Sequence, residues 1–568
     1  MRWPVATGVA LALAVVLIGG ASALAEDSPA PILEALELEL KRSMDLLGAE
    51  PVPPYYLAYE VTEVDSRSVS SSFGLTRRRR EERRRFLDVD LRVGEYSLDN
   101  THPVRGDRSG SRPTDRFSFV EVPLDDDVDS IRAVLWRATD ARYKRSLEQL
   151  TAVRTNVQVK VEETDASPDF SPSDPVRFVE GPTEFDPSLD EWQERVNSYA
   201  TLFASHGDFY QAAASFRAVR QTHWFVSSDG SRLQTTRTAH RLDINALTKA
   251  DDGMELPRYE TFFWYSADES PTDDQILARV GEMTADLQAL RVAPVVDPYT
   301  GPALLSGRAA GVFFHEVFGH RIEGHRQKRE DEGQTFKSKV GERILPPGFA
   351  VVFDPTRSRL GEVDLAGYYR FDNEGVAARP VEVIEDGVFR HFLMSRSPIE
   401  GESRSNGHGR RQPGYAVVAR QSNLIVEVDQ PVPHTTLKQQ LIDRVKAEGK
   451  PFGLFFKDIQ GGFTQTGRRI PNAFNVIPIL VYRIFPDGRE ELVRGVDLIG
   501  TPLTAFSKVI AADDRVEVFN GTCGAESGGV PVSAASPGLL IEQMEVQRKE
   551  KSQERPPLLP PPFEEPKS

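Results

Sequence analysis

Apolar residues in the first half of the chain recur at spacings that change between those of helices and those of strands. In Pro31–Leu47 they return every three or four positions, which predicts an amphipathic helix. Helical spacing also covers 129–150, 189–219 and 273–290, and the period-two alternation of strands covers 55–64 and 85–96. Asp229-Gly230 lies between two β-prone runs and predicts the turn of a hairpin. These patterns predict a mixed α/β domain.

The second half of the chain is rich in strand patterns. The turn sequences Glu385-Asp386-Gly387 and Pro486-Asp487-Gly488 are flanked by runs of Val, Ile and Phe, so each predicts a hairpin. We therefore predict an α+β fold class. An N-terminal mixed α/β domain over 26–295 is followed by a C-terminal, largely antiparallel, β-rich catalytic domain over 296–547.

The two ends of the chain have compositions of their own. A positive start precedes an apolar run over 5–18, and small residues stand before Glu26 at the positions that signal peptidases recognise. This layout predicts a signal peptide over 1–25, cleaved after Ala25, and a periplasmic or secreted protein. Retention of the run as a membrane anchor is the alternative, although the run is short for a full span. The Pro-rich segment 548–568 is predicted to be a disordered tail.

Composition excludes several functional classes. The 568 residues carry 69 Lys and Arg against 85 Asp and Glu, a net charge of −16. Because nucleic-acid binding needs a basic face, we predict no nucleic-acid partner. The Arg-rich segment 77–85 indicates a solvated face or an edge strand. No apolar stretch beyond the first is long enough to cross a bilayer, so no stable span is expected after signal cleavage.

The single cysteine, Cys523, excludes intramolecular disulfides, iron–sulfur clusters and Cys-rich zinc fingers. In an exported protein a lone thiol is expected to be buried, paired between chains or held by a metal.

The strongest chemical signal is the sequence His315-Glu316-x-x-x-His320, which follows apolar residues typical of a buried helix. Residues five apart on an ideal α-helix differ by about 140° around its axis. The two histidines can therefore face one metal only if the helix is distorted. We predict such a distortion, as a π-turn or a helix end at Gly319.

A hydrolytic zinc site needs three protein ligands and an open position for water. Cys523, with glycines close on both sides, is the candidate third ligand beside the two histidines. Glu316 would polarise the water and carry its proton to the leaving amine. The histidine motif and the cysteine are also compatible with purely structural roles.

Four further polar residues lie close to the motif or in the strand-rich region. His325 is a competing ligand or a surface residue, and Glu323 is a partner of a ligand or an exposed acid. His391 and His408 are expected to be structural or to line a substrate site rather than to bind metal.

Taken together, these motifs resemble the TldD/PmbA family of metallopeptidases. The resemblance covers roughly residues 297–546, and it weakens in the first 290 residues. The segments that carry it, in order, are Gly307-Arg308-Ala309-Ala310-Gly311, the histidine motif with Glu323-Gly324, Asp372-Asn373-Glu374-Gly375, Glu385-Asp386-Gly387, Ser405-Asn406-Gly407, Arg410-Arg411, Leu498-Ile499-Gly500-Thr501-Pro502, Cys523-Gly524 and Val530-Pro531-Val532.

The resemblance implies that His315, His320 and Cys523 hold zinc and that Glu316 is the general base. It implies a peptidase that hydrolyses small or unfolded peptides, by zinc-bound water attacking the peptide carbonyl. It further implies an enclosed cleft in a homodimer, or in a heterodimer with a PmbA-like subunit. The alternative is a non-catalytic, metal-bearing scaffold or partner subunit of a two-component complex, and a different zinc hydrolase is a third possibility.

Overall fold

A computed structural model describes residues 30–104, 120–159, 165–181, 183–205, 209–329, 331–468 and 474–549. The predicted signal peptide lies outside the described residues, as does the predicted tail except for its first two residues. None of the helices in the described parts of the chain has both the length and the apolar composition needed to cross a membrane.

The N-terminal half contains four α-helices and eight strands among the described residues. They are α1 (Pro31–Leu47), β1 (Pro54–Ser72), β2 (Leu75–Glu95), β3 (Leu98–Asp99), β4 (Val120–Glu121), α2 (Val128–Val159), β5 (Arg177–Val179), α3 (Leu189–Thr201), β6 (Phe209–Ser227), β7 (Arg232–Lys249), β8 (Glu255–Trp264) and α4 (Asp273–Val292). The strands form one sheet in the order β3-β2-β1-β6-β7-β5, with β4 paired to β2 and β8 paired to β7.

One face of this sheet is apolar and the other is polar along β6, β7 and β8. Even-numbered side chains such as Phe216, Leu242 and Ile244 are buried in the same core cluster as α3 and α4. Helix α4 begins with a capping box in which Thr272 and Gln275 exchange hydrogen bonds with each other's backbone. The opposite, odd-numbered face of the strands is left to line a cleft.

The prediction of one helix over 189–219 is correct for its first part and wrong for the rest. Helix α3 ends at Thr201, and the residues from Phe209 form β6. The segment is rich in alanine, which favours helices, yet Ala212, Ala214 and Phe216 are buried at period two. Tertiary pairing with β1 and β7 therefore overrides local propensity.

The C-terminal half contains the remaining described elements. They are β9 (Tyr299–Leu305), α5 (Gly307–Val317), β10 (Phe349–Phe353), β11 (Arg359–Leu360), β12 (Val363–Asp364), β13 (Val381–Glu385), β14 (Val388–Phe389), β15 (Gly409–Arg410), β16 (Val418–Ala419), β17 (Asn423–Val428), α6 (His434–Ala447), β18 (Gly453–Thr464), β19 (Phe474–Ile484), β20 (Glu490–Val493), β21 (Val496–Gly500), α7 (Pro502–Phe506), β22 (Val509–Ala525) and β23 (Gly528–Arg548).

The main sheet of this half runs β14-β13-β10-β17-β23-β21-β19-β18-β9, and β22 lies on β23. Strand β9 pairs with both β18 and β23. Five strands therefore form a closed ring, in the order β23-β21-β19-β18-β9. Most pairings are antiparallel, and the pairings β9–β18 and β17–β23 are parallel. The predicted hairpins at 385–387 and 486–488 are present. The predicted α+β class is confirmed, whereas the domain limits stay predictions.

Helix α5 is the most deeply placed helix of the C-terminal half. Nine of its residues are buried, and six of them belong to the largest core cluster together with residues of strands β9, β18, β19 and β23. Burial on nearly all sides explains why its sequence is apolar except at Arg308 near its start and at the histidine and glutamate of the motif.

Ion pairs join the two halves of the chain. Arg411 Nε donates to Glu60 Oε2 at 3.0 Å, and Arg258 Nη1 donates to Asp458 Oδ2 at 2.7 Å. These four side chains are buried or nearly so, and their ion pairs link the N-terminal half to the C-terminal half.

Candidate metal centre

The helix that carries the histidine motif ends before the motif does. The hydroxyl of Ser306 caps the start of α5 by accepting from Ala309 N at 3.2 Å, and the helix ends at Val317. A 3₁₀ turn follows over Gly319–Ile322. The predicted distortion is thus a helix end rather than a π-turn.

Two contacts explain why α5 ends there. The guanidinium of Arg321 donates to the backbone oxygens of Glu316, at 2.7 Å, and Val317, at 3.3 Å, and so satisfies carbonyls of the last turn. At Gly319 a Cβ would lie 2.0 Å from Gln421 Oε1, so only glycine allows this close approach. The turn brings His320 back to the side on which His315 lies.

Three side chains converge beyond this turn. The candidate ligand atoms of His315, His320 and Cys523 all lie within 4.8 Å of one another. Cys523 Sγ is 3.3 Å from His320 Nε2, and the two imidazole rings meet edge to face with centroids 5.0 Å apart. The cysteine reaches the helix from β22, more than 200 residues along the chain, so the fold rather than local sequence assembles this cluster.

A buried carboxylate orients one of the histidines. Glu323 is inaccessible to solvent, and its Oε2 is 3.4 Å from His320 Nδ1. This contact leaves Nε2 of the imidazole directed at Cys523. A carboxylate on the remote ring nitrogen is the usual support of a metal-binding histidine. Arg326 Nε donates to the same carboxylate oxygen at 3.0 Å and holds it in place.

Arg420 links the two sides of the cluster, and sequence reasoning missed it. Its Nη2 donates to the backbone oxygen of Cys523 at 2.7 Å, while its Nε is 3.3 Å from Glu323 Oε1. The side chain is fully buried. Its sequence context, a short polar run before a strand, is that of an ordinary loop, so no local signal distinguishes it.

The charges around the cluster favour a thiolate. Burial raises the pKa of Cys523, but the positive charges of His320 and His315 outweigh burial and hold that pKa well below its ordinary value. Burial lowers the pKa of His320, whereas Cys523 and Glu323 raise it well above the ordinary range. Two imidazoles and one thiolate form a donor set that zinc accepts, and three protein ligands leave a position open. The residues present therefore fit zinc.

Glu316 lies beside this donor set with one oxygen available. The residue is 6% exposed, and its Oε2 has no hydrogen-bond partner among the described residues. Gly462 of β18 packs against it so closely that a Cβ there would lie 2.7 Å from Glu316 Cγ. A buried carboxylate oxygen without a partner is costly. Such an oxygen is expected where water or a substrate completes the site.

The cluster opens into a cleft of about 960 Å³ between the two sheets. One wall carries the donor set, Glu316 and residues of β18 and β22. The opposite wall is the polar face of β6, β7 and β8. Polar side chains line both walls, and glycines of β18 and β22 line the wall that carries the donor set.

The other histidines considered as candidates lie outside the cluster. His325 pairs with Glu526, and His391 is exposed beside Glu402. His408 is fully buried and 3.1 Å from Ser422 Oγ, and burial lowers its pKa to about 3. These contacts assign structural positions to all three.

Two family models match the chain. The PmbA/TldA metallopeptidase central domain matches residues 182–289, and the PmbA/TldA metallopeptidase C-terminal domain matches residues 298–548. Together they span well over half of the 568 residues.

Curated relatives carry metalloprotease names. A metalloprotease of Methanocaldococcus jannaschii is 26% identical over 54% of this chain and 63% of its own length. A metalloprotease TldD homolog of Haemophilus influenzae is 25% identical over 59% of this chain and 67% of its own length. A zinc metalloprotease TldD homolog of Saccharolobus solfataricus is 21% identical over 43% of this chain and 51% of its own length. The chain thus spans about two thirds or less of the length of each of these relatives.

A solved structure has the same architecture. The chain described as TldE from Thermococcus kodakarensis superposes with a TM-score of 0.58 and 12% identity, covering 90% of this chain and 100% of that one. At this identity the likeness concerns the fold alone, and it agrees with the α+β arrangement described above.

Proposed function

This chain belongs to the TldD/PmbA family of metallopeptidases, and from that membership we propose that it is a zinc-dependent peptidase that hydrolyses small or unfolded peptides. The observation that carries the proposal is the convergence of His315, His320 and Cys523, whose candidate ligand atoms lie within 4.8 Å of one another. Beside them is the buried Glu316, whose Oε2 has no hydrogen-bond partner in the described parts of the chain. An oxygen in this position is suited to accept a proton from water beside the donor set.

In this proposal the two imidazoles and the thiolate hold zinc. Bound zinc would lower the pKa of a coordinated water and would polarise a carbonyl group through its oxygen. Glu316 accepts the proton of the attacking water at Oε2 and delivers it to the nitrogen of the leaving amine. Glu323 keeps His320 in the ring orientation that binding requires, as its 3.4 Å contact suggests.

The lining of the cleft supports the choice of substrate class. The site lies between two sheets, and polar side chains line both walls, with glycines of β18 and β22 on one of them. In this proposal an extended peptide enters the cleft and places a backbone carbonyl beside Glu316.

Cellular location and assembly belong to the same proposal. The signal-like start of the chain supports a periplasmic or secreted enzyme, cleaved after Ala25. Its family supports a homodimer, or a heterodimer with a PmbA-like subunit.

Peptide turnover tests the proposal. Zinc-loaded protein spanning 26–568 is incubated with a mixture of unfolded peptides. The amino groups released by hydrolysis are quantified for wild type, Glu316→Gln and the control His391→Ala. We expect turnover by wild type and the control, with a loss of at least 100-fold in Glu316→Gln at unchanged zinc content. Full activity in Glu316→Gln would contradict the role of the base. Zinc binding without any turnover would favour the non-catalytic partner subunit.

A further inference from the structure

The wall of the cleft that faces the donor set carries charge of its own. The odd-numbered residues of three neighbouring strands line it, namely Ser215, Arg217, Arg241, Asp243, Asn245, Tyr259 and Thr261. This wall comes from the N-terminal half of the chain, whereas the donor set and Glu316 come from the C-terminal half.

Two arginines of this wall are direct neighbours. Arg217 of β6 and Arg241 of β7 are opposite each other in the antiparallel register. Like charges at directly opposed positions of a sheet destabilise it. A negative charge nearby, from the protein or from a ligand, would relieve this repulsion.

Among the described residues, only one of the two arginines has a carboxylate partner. Arg241 Nε donates to both oxygens of Asp243, at 2.9 and 2.8 Å. Arg217 Nε donates to the hydroxyl of Ser66 at 3.2 Å. In the described parts of the chain no carboxylate lies within ion-pair distance of Arg217, so its two terminal amino groups are free to bind a ligand.

The other charged side chains that line the cleft have an ion-pair partner or a proposed role. Arg326 is paired with Glu323 and Glu526. Glu316 is the proposed base. Arg217 is thus the one cation lining the cleft, in the described residues, without a carboxylate partner.

We propose that Arg217, with Arg241 beside it, binds a carboxylate of the peptide substrate and makes the enzyme selective for peptides that place a carboxylate in this cleft. The carboxylate is either the α-carboxylate of the peptide's C-terminus or an acidic side chain. This inference rests on the proposed peptidase function, because it names a substrate class for the same cleft.

The chemistry of the side chain supports a carboxylate over other anions of a peptide. The guanidinium presents two parallel N–H groups that match the two oxygens of a carboxylate, and a peptide offers no other anion of that shape. Arg217 is solvent-exposed, so the gain is modest, about tenfold in kcat/KM.

The experiment compares matched peptides on matched variants. The two peptides of the first pair differ only in whether the C-terminus is free or amidated. The two peptides of the second pair both have an amidated C-terminus and differ only in having Glu or Gln at one position. This second comparison is repeated with the Glu or Gln at successive positions of the peptide. The proteins are wild type, Arg217→Gln, Arg217→Lys and the control Arg78→Gln, all zinc-loaded and spanning 26–568. Arg78 is also an exposed strand arginine with no carboxylate partner among the residues that the structure describes, and it lies outside the cleft.

Wild type and Arg78→Gln are expected to prefer the carboxylate member of at least one pair about tenfold, through a lower KM. Arg217→Gln should cleave both members at the rate of the neutral one, and Arg217→Lys should retain part of the preference. The pair that shows the preference identifies the C-terminus or the side chain as the source. An equal preference in wild type and Arg217→Gln, or no preference in wild type, overturns the inference.

A binding measurement distinguishes failure of this inference from failure of the peptidase proposal. Fluorescence anisotropy of labelled peptides on Glu316→Gln measures affinity without turnover. If no peptide is cleaved by wild type, a tenfold affinity difference between the pair members that disappears in Glu316→Gln/Arg217→Gln still supports the carboxylate site. Equal affinities overturn it.

Discussion

Single residues decide whether the donor set can hold a metal. The sequence contains ten histidines and one cysteine, so a histidine pair beside a glutamate stands out, and the cysteine has no competitor. Those residues could be predicted. The sequence leaves open whether Glu323 contacts a ligand or is exposed, and it does not single out Arg420. The burial of a charged side chain depends on segments that are distant in sequence.

Replacing the carboxylate that orients His320 should weaken metal binding. In Glu323→Gln the charge-assisted contact with Nδ1 is lost, so the imidazole is a poorer and less well-oriented ligand. We expect the zinc dissociation constant to rise 10- to 100-fold in a competition titration with a chromophoric chelator. Glu402→Gln, which alters a glutamate beside the exposed His391, is the matched control and should bind zinc as wild type does. An unchanged constant in Glu323→Gln would remove the orienting role.

A methyl group at Gly462 should displace the proposed base. Its Cβ would lie 2.7 Å from Glu316 Cγ and 2.9 Å from Asn475 O, so either the carboxylate or β18 must shift. We expect Gly462→Ala to lower kcat at least tenfold while zinc content stays constant. At Gly467 the nearest atom is 3.8 Å away, so Gly467→Ala is the control. Wild-type kcat in Gly462→Ala would show that the packing does not position Glu316.

At the scale of elements, periodicity was a good guide where burial is one-sided. It found α1, α4 and the hairpins, whose apolar faces follow one period. It failed at β6, where alanines favour a helix but neighbouring strands impose an extended chain. It also left the geometry of the histidine motif open, because contacts from Arg321 and Gln421 decide where α5 ends.

The end of α5 should depend on Arg321. Removing its guanidinium in Arg321→Met leaves the carbonyls of Glu316 and Val317 buried without their donor. We expect the free energy of unfolding of the zinc-free protein to fall by about 1–3 kcal/mol in urea denaturation. Arg78→Gln, an exposed arginine outside the cleft, should change it by less than about 0.5 kcal/mol. Equal stability of Arg321→Met and wild type would mean that this cap does not hold the helix end.

At the scale of the whole molecule, the site exists only because two halves of the chain meet. The order of strands, the closure of β9 onto β23 and the pairing of buried charges between the halves are long-range properties. No local pattern encodes them, so the α+β class could be predicted from sequence while the cleft and its arginine-bearing wall could not.

The ion pair between the halves should make stability depend on pH. Burial raises the pKa of Glu60, but Arg411 and His223 outweigh burial and lower it from 4.5 to about 2. A lowered pKa in the folded state stabilises the protein above the pKa of the unfolded state, and this stabilisation is lost as the pH falls through about 2. We expect about 3 kcal/mol of the unfolding free energy to disappear between pH 5 and pH 2.

Urea denaturation across this pH range checks the expectation. Glu60→Gln should remove that part of the pH dependence, whereas Glu402→Gln should keep it. Parallel pH profiles for wild type and Glu60→Gln would contradict the assignment to this ion pair.

The metal content of the purified chain tests the central claim most directly. Protein spanning 26–568 is analysed by elemental mass spectrometry as wild type and as Cys523→Ala, which removes the ligand that β22 brings to α5. We expect about one zinc per wild-type chain, and loss or strong weakening of zinc binding in the variant. A wild-type chain without metal, whose Cys523 reacts freely with thiol reagents, would contradict the metal centre and the peptidase built on it.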